Sequence, residues 1–143
     1  MLQRNFIEPK NMWKRIEKGN LLYSPILVVR GADHAHVYLA GQTSRLPSGE
    51  EVGKSDMRAQ IRQTCENIKT GLENVGATFE DVVRMNLYVT DIEEYFRCCD
   101  ERYKYFATTR PPSTVIEIKR LGPPNAMIEI EVEAIVEPER LRV

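Results

Sequence analysis

One stretch of the chain decides its fold class: Met127-Ile-Glu-Ile-Glu-Val-Glu-Ala-Ile-Val136. Its aliphatic residues alternate with Glu129, Glu131 and Glu133, and this period of two is the pattern of a half-buried β-strand. The aliphatic side chains would then face a core, while the three carboxylates share the other face and repel one another. Two interpretations of the carboxylates stay open: a solvated face of an antiparallel strand, or the lining of a polar cleft.

The segment before this strand ends a helix and begins another strand. Its sequence is Arg110-Pro-Pro-Ser-Thr-Val115, and proline can neither continue a helix nor leave the preceding residue helical. The two closing strands are joined across residues 121–125, which are rich in Gly and Pro. The helix itself is predicted to begin at Asp91, because Glu94 follows at the capping-box spacing. Its predicted inward residues are Ile92, Tyr95, Cys99, Tyr103 and Phe106.

The remainder of the chain supplies three more strands and one long helix. Strands are predicted over residues 21–29, 36–40 and 82–90. The helix begins at Ser55 or Asp56, and Gly76 lies at its end, where a helix C-terminus favours glycine. Its apolar stripe recurs every three or four residues and comprises Met57, Ile61, Cys65, Ile68, Leu72 and Val75.

The predicted order of elements is β-β-α-β-α-β-β, an α+β arrangement of a single sheet with two helices packed on one face. The predicted domain covers residues 21–137. An N-terminal extension, 1–20, has no assigned structure, and a short tail covers 138–143. Because both helices cover the same face, the other face of the sheet is expected to need a partner chain.

The composition and charge of the chain limit the classes of function that the sequence supports. With 20 basic and 21 acidic residues the net charge is −1, which gives no support for binding nucleic acid or an anionic membrane. No segment approaches the roughly 20 apolar residues of a membrane span, and the charged N-terminus does not fit a secretory signal. Three cysteines, two of them adjacent, suggest no disulfide framework. The protein is predicted to be cytoplasmic.

The sequence shows few motifs of common catalytic chemistry. His34 and His36 are the only histidines and have no third ligand at a recognisable spacing, so no metal site is predicted. There is no nucleophile elbow and no glycine-rich nucleotide loop. Gly41 and Gln42 follow a predicted strand, where their peptide N–H groups would either meet an anion or belong to a simple strand-end turn.

Several segments, in their order and spacing, resemble the Rid (YjgF/YER057c/UK114) family of reactive-intermediate deaminases. They are Tyr23-Ser24 and residues 37–42, 63–76, 82–91, 111–115 and 130–135. The resemblance implies a chorismate-mutase-like fold and a homotrimer that binds small molecules in clefts between subunits. In the deaminase branch, it implies a hydrolase that converts an enamine or imine to a 2-keto acid and ammonia without metal or organic cofactor.

The resemblance also implies roles for particular residues. Glu131 matches the glutamate that positions the attacking water, and Glu129 takes that place if the register slips by two. The substrate-binding positions fall on Tyr23, Gly41, Gln42, Ser113 and Thr114, and at Thr114 the family frequently has cysteine. The family serine before Gly-Gln is Ala40 here, and an asparagine on the second helix corresponds to Asp100 with a one-residue length difference.

The family's carboxylate-binding arginine has no counterpart, because Pro112 occupies its position. Losing a charge-assisted bidentate contact costs about 1.5–3 kcal/mol. Arg110, two residues earlier, would project on the same face of an extended segment and is the candidate substitute. Two functions therefore remain: a deaminase with an altered substrate range, or a non-catalytic trimer that binds a small metabolite in a sensing or scaffolding role. The ribonuclease activity attached to some family members gains no support from a net charge of −1.

Overall fold

The computed structural model describes residues 1–143 and is built around a six-stranded sheet. In chain order the strands are β1 (Gln3–Ile7), β2 (Ile16–Glu17), β3 (Asn20–Leu21), β4 (Ile26–Arg30), β5 (Ala35–Gln42), β6 (Val82–Val89), β7 (Ser113–Glu117) and β8 (Ile128–Val136). The helices are α1 (Met57–Glu73), α2 (Ile92–Cys98) and α3 (Asp100–Phe106). The sheet order is β1-β4-β5-β8-β6-β7, while β2 and β3 form a separate hairpin. Only the β6–β7 pair is parallel.

The helices and the sheet bury the predicted apolar faces against each other, which confirms the α+β fold. On β8 the buried residues are Ile128, Ile130, Val132, Ala134 and Val136. The helix stripe that begins at Met57 is buried as well, and Asp56 caps α1 by accepting a hydrogen bond from the Ala59 amide at 3.0 Å. The predicted start of this helix is therefore confirmed.

The second predicted helix is two helices, with the break at Cys99. A continuous helix would place Cys99 and Tyr103 inward. This prediction is wrong for Tyr103, whereas Cys99 packs against the core. Cys98 is the buried cysteine, Cys99 is only partly buried, and Tyr103 is 60% exposed. The interruption shifts the phase of the helical face, so the 3.6-residue period cannot be carried across it.

Both ends of the chain join the domain. β1 pairs antiparallel with β4 and extends the sheet beyond the predicted limits of 21–137. The strand predicted over 21–29 begins only at Ile26. At the other end, the Arg140 guanidinium forms two hydrogen bonds to the Asp81 carboxylate, at 2.9 and 2.6 Å, and the Arg142 amide donates to the Val75 carbonyl at 3.1 Å.

One face of the sheet carries no helix. The helix side of the sheet buries Val37, Leu39, Leu87 and Val89. The alternate residues of β5, β6 and β8 therefore lie on the other side, which we call the open face of the sheet. It includes Tyr38, Arg84, Asn86, Tyr88, Glu129, Glu131, Glu133 and Ile135. None of the helices has the length and apolar character that a membrane span requires.

Candidate functional site

A β-bulge lies at the centre of the open face. Leu39 pairs with Val132 and Gln42 pairs with Ile130, so two residues of β5, Ala40 and Gly41, lie opposite a single residue of β8, Glu131. A bulge of this kind bends the strand and redirects side chains, and such bulges are common beside active sites.

Gly41 leaves room for the Glu129 side chain, which occupies the space that a β-carbon would need. A Cβ added to Gly41 would lie 2.9 Å from Cδ of Glu129 and closer still to its Oε1. Gln42 supports the bulge from within: its side-chain amide donates to the Ala40 carbonyl at 2.9 Å. A direct contact of Gly41 or Gln42 with substrate stays a prediction.

Two side chains of β6 orient Glu131. Asn86 Nδ2 donates to Glu131 Oε1 at 3.1 Å, and the Tyr88 hydroxyl donates to the same oxygen at 2.7 Å. The pKa of Tyr88 is raised, first by this hydrogen bond and then by burial, so the phenol stays a neutral donor. The other oxygen of Glu131, Oε2, accepts no hydrogen bond within the chain.

Glu129 lies on the same face, two residues away, in a different environment. Burial raises the pKa of Glu129, and the charge of Glu131 raises it further. The pKa of Tyr23 is also raised, first by burial and then by the charge of Glu129. Tyr23 itself is 44% exposed. Two carboxyl groups thus lie two residues apart on one face of β8, and the pKa of Glu129 is raised.

Glu129→Gln is expected to raise the free energy of unfolding, relative to the wild type, more at alkaline pH than at acid pH. Below the ordinary carboxyl pKa, Glu129 is protonated in both the folded and the unfolded state, so its ionisation does not change the stability of the wild type there. As pH rises from there through the higher folded-state pKa, the unfolded state releases its proton first, so wild-type stability falls. Urea denaturation of both proteins at about pH 4 and about pH 8 measures the change. An equal difference between the two proteins at both pH values would contradict this.

A depression of about 290 Å³ lies over this part of the open face. Glu131 and Glu133 line it, together with Ser24, Tyr38, Arg84 and Asn86. This placement supports the cleft interpretation for two of the three carboxylates of β8. The side chain of Glu133 is directed toward His36, with His36 Nε2 and Glu133 Oε2 separated by 3.5 Å. No group of three or more His, Cys, Asp or Glu side chains is placed to hold a metal ion.

The remaining predicted residues lie toward the β7 edge. Thr114 pairs with Asn86, which in turn pairs with Glu131, so the three form one row across adjacent strands. The hydroxyl of Ser113 accepts a hydrogen bond from Arg102 at 2.9 Å. Thr114 is thus aligned with Glu131, two strands away.

Arg110 does not have the geometry on which its prediction depended. Its φ is 44° and its amide donates to the Phe106 carbonyl at 2.9 Å, so it terminates the helical segment rather than extending into β7. The extended backbone on which the expectation rested is therefore wrong at Arg110, and its role as substitute for the family arginine stays a prediction. Asp100, the weakly matched residue of the second helix, forms an ion pair with Arg58 at 2.7 Å.

Sequence reasoning missed the partners of Glu131. Asn86 and Tyr88 are alternate residues of a strand that was predicted correctly, so their common face was visible in the period of two. What could not be seen was that this face adjoins that of β8, because the pairing of the two strands joins residues about 45 positions apart.

The chain matches the family model described as Endoribonuclease L-PSP over residues 22–136. It therefore belongs to this family, and the predicted Rid-family membership is confirmed. A RutC family protein of Pyrococcus abyssi is 33% identical over 101 residues, which cover 71% of this chain and 79% of that protein. A 2-iminobutanoate/2-iminopropanoate deaminase of Dermatophagoides farinae is 28% identical, covering 71% of this chain and 78% of that one. The solved structure of the Rid-family protein YyfA of Yersinia pestis is 29% identical and superposes with a TM-score of 0.78, covering 94% of this chain and 100% of that chain.

Proposed function

We propose that the protein hydrolyses imines or enamines derived from amino acids, giving a 2-keto acid and ammonia. The observation that carries this proposal is the state of Glu131: two donors fix its Oε1, while Oε2 has no partner within the chain. A carboxylate held in this way is suited to orient and deprotonate water. The relative named for 2-iminobutanoate and 2-iminopropanoate deamination supports the reaction type.

The proposed chemistry needs one base and one acid. Water forms a bond to the imine carbon as Glu131 takes its proton, and the electron pair of the C=N bond moves to nitrogen, which takes up a proton. The nitrogen of the resulting carbinolamine then takes up a second proton, from protonated Glu131, and the C–N bond breaks with its electrons on nitrogen to release ammonia. The hydroxyl proton passes to the Glu129 carboxylate as C=O forms, which restores both groups. Glu129, with its raised pKa, is the neighbouring carboxyl suited to hold the proton for nitrogen.

We further propose a homotrimer with small-molecule ligands in clefts between subunits. Support comes from the open face, on which Tyr38 is 39% and Ile135 40% exposed. Such side chains gain from burial against another chain. Light scattering is expected to give a mass three times 16.5 kDa. A mass of one chain would contradict this.

A ribonuclease activity, which the family description names, has weaker support. Glu131 and Glu133 lie together on the open face, where their charge would repel a phosphate backbone.

The experiment is a hydrolysis assay with imines generated in situ. An amino-acid oxidase supplies the imine, and release of ammonia or keto acid is followed with and without the protein. Acceleration at micromolar protein is expected. If no acceleration occurs but a keto acid binds, the alternative of a non-catalytic metabolite-binding protein is favoured instead.

A further inference from the structure

A guanidinium in the loop that follows the bulge has no hydrogen-bond or ion-pair partner. Arg45 stacks on the ring of Trp13, with its Cζ 4.3 Å from the ring centroid. Its Nε is fully buried and forms no hydrogen bond, and no carboxylate lies within ion-pair distance. Arg15 contacts the same ring at 5.7 Å, but it is neutralised by an ion pair with Glu17 at 3.0 Å. A half-buried and unpaired arginine is costly unless something binds to it.

The loop that carries Arg45 is held rigidly. Asn67 of α1 donates to the carbonyl oxygens of Thr43 and Arg45, at 2.8 and 2.7 Å. Gly49 packs against Trp13 from the far side of the loop, and a Cβ there would lie 3.1 Å from the indole Nε1. The guanidinium is therefore fixed before any ligand arrives, which lowers the entropy lost on binding.

The position of Arg45 relates it to the site. It follows the bulge at Gly41 by four residues. Tyr23 follows Leu22, whose amide donates to the carbonyl of Arg15 at 3.2 Å, and Arg15 shares the Trp13 ring with Arg45. Two residues after Tyr23, the Pro25 carbonyl accepts from the Ala40 amide of the bulge at 2.9 Å. Tyr23 thus belongs to the segment that runs from the Trp13–Arg45 contact to the bulge, where the Glu129 side chain lies against Gly41.

We propose that Arg45, backed by Trp13, binds the carboxylate of a small organic acid whose reacting end lies at Tyr23 and the glutamates. This inference rests on the proposed function, since it names the group that anchors the same ligand. It gives the carboxylate a guanidinium from the loop after β5, in a chain that has Pro112 where the family arginine would stand. A planar guanidinium with free N–H groups suits a carboxylate in bidentate geometry.

The test measures binding without turnover. Calorimetry compares 2-oxobutanoate with its neutral amide, 2-oxobutanamide, on the whole protein. Arg45→Gln is expected to weaken binding of the acid by about 10- to 100-fold and to leave the amide unaffected. Arg45→Lys keeps the charge but loses the planar set of donors, so its affinity for the acid is expected to lie between those of the wild type and Arg45→Gln.

Three further variants serve as comparison. Arg15→Gln removes a cation from the same ring, but one already paired with Glu17, so acid binding is expected to change little. Arg84→Gln and Arg110→Gln remove the rival cations. The inference is overturned if Arg84→Gln or Arg110→Gln, rather than Arg45→Gln, loses affinity for the acid. It is also overturned if Arg45→Gln weakens binding of acid and amide equally, or if the wild type binds no acid. Arg45-dependent binding by a protein that hydrolyses no imine would sustain the inference and reject the proposed function.

Discussion

Glu131→Gln is expected to lower the rate of imine hydrolysis by about 10²- to 10⁴-fold, the usual contribution of a general base. Glutamine keeps an oxygen that can accept from Asn86 and Tyr88, so the side chain should stay in place. It cannot take a proton from water, and the loss should therefore appear in kcat. Steady-state kinetics with imine generated in situ measure the effect, and a thermal melt establishes that the variant is folded.

Glu133→Gln is the matched control for this variant. It removes the same charge from the same face of the same strand, and the native side chain is directed toward His36 rather than toward Asn86 and Tyr88. A much smaller loss of rate is expected. If Glu131→Gln retains the wild-type rate while Glu129→Gln loses it, the base is Glu129 and the matched register of β8 is wrong by two residues.

The parts of the fold that could be predicted depend on local periodicity. The alternation in β8 and the stripe of α1 each follow from residues that are close in sequence, and both are confirmed. The break between α2 and α3 carries no such signal, because neither Gly nor Pro lies near Cys99. The polar strand β1 likewise has no alternation to mark it, and its pairing with β4 is what makes it a strand.

The site was predictable only where a resemblance pointed to it. Glu131 is nominated by its place in the last strand, whereas its hydrogen-bond partners and the bulge opposite it arise from pairing between distant strands. The contact of Trp13 with Arg45 joins an N-terminal segment of no recognisable pattern to a loop. Such a contact is a product of tertiary packing, which single-residue preferences do not encode.

Gly76→Ala is expected to destabilise the protein by about 2–4 kcal/mol, which combines a left-handed backbone with a steric clash. The φ of Gly76 is 83°, a conformation that alanine adopts only with strain. A Cβ there would also lie 3.2 Å from the carbonyl carbon of Arg140 and closer to its oxygen. Backbone cannot move aside as a side chain can, so the C-terminal segment would be displaced. Denaturation in urea measures the free energy of unfolding.

Substitutions at two other glycines separate the cost of the left-handed backbone from the cost of the steric clash. Gly19 has a φ of 80° but no atom within 4 Å of its added Cβ, so Gly19→Ala measures backbone strain alone, about 1 kcal/mol. Gly122 has neither the positive φ nor a close neighbour, and Gly122→Ala is expected to be neutral or slightly stabilising. The excess loss at Gly76 over Gly19 then reports the contact with Arg140. If both variants lose the same free energy, the C-terminal segment yields without cost, and its ion pair with Asp81 contributes little to the fold.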